Sequence, residues 1–131
     1  MKPKISLKEL KKDFSFLEKD LKENKILAVL LYGSYVKKQQ HIRSDVDICV
    51  VAPKFKTIKE QADLLSYLWR NINANKYDVR LFEELPLYIK ASVIKNHKVI
   101  LIANEFEFRY YFYFVNKIWK DQSVNWIYKK L

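Results

Sequence analysis

The chain has 131 residues and a formal net charge of +10; half of it is hydrophobic and 15% is aromatic. This points to a single domain, residues 1–131, with a real core, and argues against disorder. The longest purely apolar run, residues 26–32, is too short for a bilayer, no apolar stretch follows Lys2 and Lys4 as a signal peptide would require, and the lone Cys49 excludes an internal disulfide and a cysteine zinc site. A cytoplasmic protein with no membrane association is expected, its charge suiting either a polyanionic partner or a solvated lysine-rich surface.

The first element is a helix from Ser6 to about Asn24. Ser6-Leu7-Lys8-Glu9 has the capping-box pattern, and Leu7, Leu10, Phe14, Leu17 and Leu21 form one apolar face. Residues 26–32 read as a buried strand ended by Gly33, the only glycine of the chain. A short helix over residues 34–38 and a polar loop over residues 39–44 follow. Residues 46–52 form a second strand stopped by Pro53. Thr57-Ile58-Lys59-Glu60 opens a helix to about Asn73, with Leu64, Leu65, Leu68 and Ile72 on its buried side. Residues 77–82 are a third strand, residues 86–96 a helix with Pro86 in its first turn, and residues 97–102 a fourth strand. Asn104 caps an aromatic-rich helix, and a further short helix runs from Asp121 to Lys130. The alternation predicts an α/β (α+β) fold: a small mixed sheet of about four strands flanked by helices, residues 25–102 forming its core.

The chemistry concentrates where two strands meet polar residues. Asp45 and Asp47 are two apart on a strand and so share a face, opposite Val46, Ile48 and Val50. Paired carboxylates repel and are costly to bury, and a divalent cation removes both problems. Magnesium, with its preference for carboxylate and phosphate oxygens, suits the pair, and two ions can activate an attacking hydroxyl and stabilise a leaving phosphate. Asp78, near the start of the third strand, completes a three-carboxylate cluster if that strand lies beside the second; it then serves as metal ligand or base. Gly33 lets phosphate oxygens approach the main chain, Ser34 begins a helical turn with free N–H groups, and Lys37 and Lys38 neutralise phosphate charge.

At these residues the chain resembles the minimal nucleotidyltransferases of the DNA polymerase β superfamily, which pair Gly-Ser on a strand-to-helix turn with Asp-x-Asp ten to twelve residues on. Here that is Gly33-Ser34 and Asp45-Val46-Asp47, with Asp78 matching the third carboxylate. It is most similar to the MNT antitoxins encoded beside HEPN toxins. The resemblance implies a nucleotidyltransferase-like fold that binds ATP with Mg2+ and transfers AMP to a tyrosine hydroxyl of its HEPN partner, an RNase silenced by the modification. It assigns Asp45 and Asp47 to metal, Asp78 to the acceptor, and Gly33 and Ser34 to the β- and γ-phosphates. The chain departs from the pattern at Lys38, where the family often has a second glycine. Two other readings stand beside this one: transfer to a small molecule or RNA end, and an antitoxin that acts by binding alone. Simple nucleic-acid binding rests on charge alone.

Outside the motif, Cys49 reads as a core residue, His41 as a loop histidine within reach of a triphosphate, and Arg80 as a partner of Asp78 or of phosphate. His97 has no partner apparent in the sequence. Residues 106–114 hold more aromatics than one helix face can bury. One stripe is expected on the sheet and another at an interface, with a HEPN partner or a second copy of the chain as homodimer.

Overall fold

The computed structural model describes residues 5–33 and 45–130, with side chains to residue 124. The expected short helix at residues 34–38, with Ser34, Lys37 and Lys38, and the loop histidine His41 lie outside the described residues.

The first helical segment is broken rather than continuous. Helix α1 (Leu7–Asp13) gives way to a 3-10 turn (Ser15–Leu17) and then to α2 (Glu18–Lys22). Ser6 caps α1 as its sequence requires, its Oγ accepting from Glu9 N–H at 3.1 Å. The break lets Phe14 and Leu17 both reach the core with no exposed surface, while Leu7, which shares their stripe in a straight helix, stays half exposed. Asn24, at φ 57°, turns the chain out of α2 in the left-handed conformation that ends many helices.

Strand β1 (Ala28–Tyr32) follows, then β2 (Val46–Val51), helix α3 (Ile58–Arg70), β3 (Tyr77–Leu81), a 3-10 turn (Phe82–Glu84), α4 (Leu87–Lys95), β4 (Lys98–Ile102) and α5 (Glu105–Lys130). Thr57 forms the complete capping box with Glu60, and Pro86 stands at the N-cap of α4. The expected separate helix from Asp121 is the second half of α5, which runs unbroken from Glu105. Neither glycine nor proline occurs in that span, so nothing stops the helix.

The four strands form one mixed sheet in the order β3-β2-β1-β4. β1 is antiparallel to both β2 and β4, whereas β2 and β3 are parallel, as their α3 crossover permits. Both faces of the sheet are covered, so β1 and β2 are nearly continuous apolar runs. Val29, Leu31, Val46, Ile48, Val50, Val79 and Leu81 pack towards α1, α2 and α3. Ala28, Leu30, Cys49, Val51 and Phe82 pack towards Val93 of α4 and Phe108, Phe112 and Val115 of α5. Among the described residues no helix is long and apolar enough to cross a membrane.

Candidate active site

One row across the sheet departs from the apolar pattern. In β1 Tyr32 faces Asp47 of β2, and in β2 Asp47 faces Asp78 of β3. Cross-strand partners point to the same side of a sheet, so the three side chains stand in line on the face that α4 and α5 cover further along. Asp47 and Asp78 are partly buried. The adjacency on which the third carboxylate depended is therefore met: β3 lies beside β2, parallel, with Asp78 in register with Asp47. Asp45 is exposed, two residues ahead of Asp47 and just before β2 begins.

Gly33 closes this row. Its φ of 75° is the left-handed region that side chains resist, and a Cβ added there would overlap Oδ2 of Asp47. Two constraints thus converge on the chain's one glycine: the turn after β1 needs its backbone freedom, and the Asp47 carboxylate occupies the space a side chain would fill.

Arg80 is the partner of Asp78, its Nε 3.5 Å from Oδ2, with the guanidinium largely exposed. Tyr32, which sequence reasoning passed over, borders the carboxylates. Burial, reinforced by the charges of Asp47 and Asp78, pushes its phenol well above the ordinary range and keeps it protonated. Cys49 is fully buried and its thiol is likewise pushed up by burial, first of all causes, as a core residue should be. Glu83 was also missed. Its Oε1 accepts from Ala52 N–H at 3.0 Å and its Oε2 from the Tyr111 hydroxyl at 2.9 Å, tying the end of β2 to α5. No local pattern marks it, because its partners are 31 and 28 residues away. His97 has a plain structural role: Nδ1 donates to the Val93 carbonyl at 2.8 Å and the ring meets Phe108 and Phe112 edge-on.

Among the described residues no three Asp, Glu, His or Cys side chains stand together closely enough to hold an ion as they are. The donor chemistry nevertheless fits a hard divalent cation. Two carboxylates oppose each other on neighbouring strands, a third stands just ahead of β2, and all offer oxygen.

Fold and site together define a nucleotidyltransferase. The chain belongs to that family: residues 16–106 match the family described as Polymerase beta, Nucleotidyltransferase. It is 47% identical over 100 residues to "Putative protein adenylyltransferase MJ1547" of Methanocaldococcus jannaschii, covering 76% of this chain and 75% of that one. A second protein of the same organism, "Putative protein adenylyltransferase MJ0141", is 34% identical over 73 residues, or 56% of this chain and 68% of that one. Among solved structures, a chain of a toxin-antitoxin crystal structure with AMP-PNP superposes with TM-score 0.63 at 17% identity, covering 88% of this chain and 90% of that chain. A chain from the complex of a tri-AMPylated Shewanella oneidensis HEPN toxin with MNT antitoxin gives 0.61 at 14% identity, with 92% of both chains covered. At such identities these two show a shared fold.

Proposed function

We propose that the chain transfers AMP from ATP, with Mg2+, to a tyrosine hydroxyl of a HEPN-family toxin and thereby neutralises it. The observation that carries this reading is the Asp47–Asp78 pair set against Gly33. The names of the two relatives and the toxin-antitoxin neighbours support the choice of acceptor.

Asp45 and Asp47 hold the metal, with Asp78 as a further ligand or as base. Gly33 and Ser34 receive the β- and γ-phosphates, and Lys37 and Lys38 offset their charge. When bound, magnesium neutralises triphosphate charge and makes the acceptor hydroxyl more acidic. The phenolic oxygen of the acceptor bonds to the α-phosphorus, and its proton passes to the Asp78 carboxylate. The bond from the α-phosphorus to the oxygen bridging the α- and β-phosphates breaks, and pyrophosphate leaves. Asp47, fixed by its place between two strands, holds its carboxylate in position without reorganisation.

The test combines the chain, a HEPN-family protein of the same source organism, ATP and magnesium, with mass spectrometry of the partner. The expected result is one or more added AMP masses on tyrosine. No added mass, or equal transfer by an Asp45→Asn/Asp47→Asn variant, overturns the proposal, and labelling of RNA or a small molecule in its place moves the acceptor to another class.

A further inference from the structure

A groove of about 330 Å³ lies along β3 and ends at the candidate site. Its lining includes Asp78, Val79, Arg80 and Leu81, four consecutive strand residues. Side chains of a strand alternate between two faces, so four in succession can border one groove only along the strand's edge. β3 is the last strand of the sheet on this side, and among the described residues no strand pairs with its outer edge. The opposite wall is apolar, built from Leu65 and Trp69 of α3 with Leu85 and Pro86 beyond the 3-10 turn.

We propose that this groove seats an extended segment of the protein that accepts AMP. The segment adds to β3 as an edge strand, and its acceptor hydroxyl is delivered to Asp78. The inference rests on the reading that the acceptor is a protein, and it names where that protein docks. Main-chain N–H and C=O groups along an open edge recognise backbone of any sequence, while an apolar wall selects the side chains beside it. Charge argues against nucleic acid as the occupant. The groove carries two carboxylates, Asp78 and Glu84, against one guanidinium, that of Arg80, which already faces Asp78. A phosphate backbone meets net repulsion there, whereas an uncharged extended peptide does not. Continuity with Asp78 gives the groove its link to transfer: a segment lying in it ends beside the carboxylate assigned to the acceptor proton.

The experiment uses the whole chain with a HEPN-family protein of the same source organism. With magnesium and a non-hydrolysable ATP analogue present, adding that protein is expected to slow hydrogen–deuterium exchange across residues 78–81. Leu65→Lys places a charge on the apolar wall, and Glu84→Trp, at an exposed position, fills the groove without touching the core. Each is expected to lower kcat/KM for the acceptor at least about tenfold, mainly through KM, as loss of an anchoring contact does. Affinity for Mg-ATP by calorimetry stays within about twofold, since uniform acceptor binding is what is lost. Transfer that is insensitive to both variants, with exchange at 78–81 unchanged, overturns the groove and leaves the reaction standing. Protection of residues 78–81 without transfer keeps the groove and overturns the reaction. Transfer to RNA or a small molecule alone overturns both.

Discussion

The two faces of the sheet are built from the same strands and serve different ends. On the face towards α1, α2 and α3, Val46, Ile48, Val50, Tyr77, Val79 and Leu81 are all buried, and apolar packing runs the full length of β2 and β3. A polar clasp seals its rim. Lys76 Nζ meets Glu9 at 2.6 Å and Asp13 at 3.0 Å, and the Tyr77 hydroxyl donates to Asp13. The face towards α4 and α5 is equally apolar at Ala28, Leu30, Cys49, Val51 and Phe82, but its last row is Tyr32, Asp47 and Asp78. One face spends its whole length on stability. The other is packed until its final row, where carboxylates held by rigid strands stand at the margin of the core.

This contrast predicts that activity and stability separate by face. The largest effect is expected from Asp47→Asn, which should reduce nucleotidyl transfer by about 10³-fold or more while leaving the denaturation midpoint nearly unchanged, because one preorganised electrostatic group is lost and no packing is. Transfer assays and urea unfolding on the same preparation check both halves. Unfolding of the variant at wild-type transfer rates would erase the division.

Phe14→Ala is the converse. Phe14 is fully buried and packs edge-on against Tyr77 at 5.1 Å. Its truncation is expected to cost about 3–5 kcal/mol by denaturant titration, a large share of a total near 5–15 kcal/mol. Mg-ATP affinity of the remaining folded fraction should not change.

Gly33→Ala sits between these, since it joins backbone strain to displacement of Asp47. A loss of about 1–3 kcal/mol in stability is expected from the backbone. A loss of transfer should accompany it, and calorimetry with Mg-ATP distinguishes the two parts. Retained transfer with lowered stability would mean that Asp47 moves without consequence.

The smallest effects are in pH dependence, and they have opposite signs on the two faces. Partial burial raises the Asp13 carboxyl, but hydrogen bonds from Tyr77 and Lys76 outweigh it and hold the group below its ordinary 3.8. Its contribution to stability is present above pH 3.8 and is lost as pH falls through the lowered folded value. Glu83 is raised above its ordinary 4.5 because burial outweighs the hydrogen bonds from Ala52 and Tyr111. Its folded form binds the proton more tightly, so stability declines as pH rises from 4.5 through the raised value. Unfolding measured from pH 3 to 7 should show Asp13→Asn flattening the acid limb and Glu83→Gln flattening the decline above it. Identical profiles for both variants would contradict the assignment.

The exposed stripe on α5 belongs to neither face. Phe106, Tyr110, Tyr113 and Phe114 are exposed, with Tyr110 in ring contact with both Phe106 and Phe114, while Phe108 and Phe112 carry the packing. The sequence showed that these aromatics fall on different stripes. Which stripe met the sheet depended on how α5 lies against β1 and α4.

Much of the rest was open to local reading. Caps at Ser6, Thr57 and Asn104, the apolar runs of β1 and β2, and the isolated Gly33 all act over a few residues, so their consequences can be written down from the chain alone. The break at Phe14 and the unbroken α5 could not be read this way. In the first, burial of Phe14 and Leu17 against distant residues overrode helical continuity; in the second, continuity held where a polar Asp121 suggested a new start. The sequence by itself determined that Asp47 faces away from Val46, Ile48 and Val50 and that a turn must follow residue 32. Only the tertiary structure decided that β3 joins β2 in parallel with Asp78 opposite Asp47, that Tyr32 completes the row, and that the Asp47 carboxylate excludes any side chain at residue 33. The reason is range. Alternation is a property of a single strand, whereas register between strands is set by the pattern of both and by the helices that bury them.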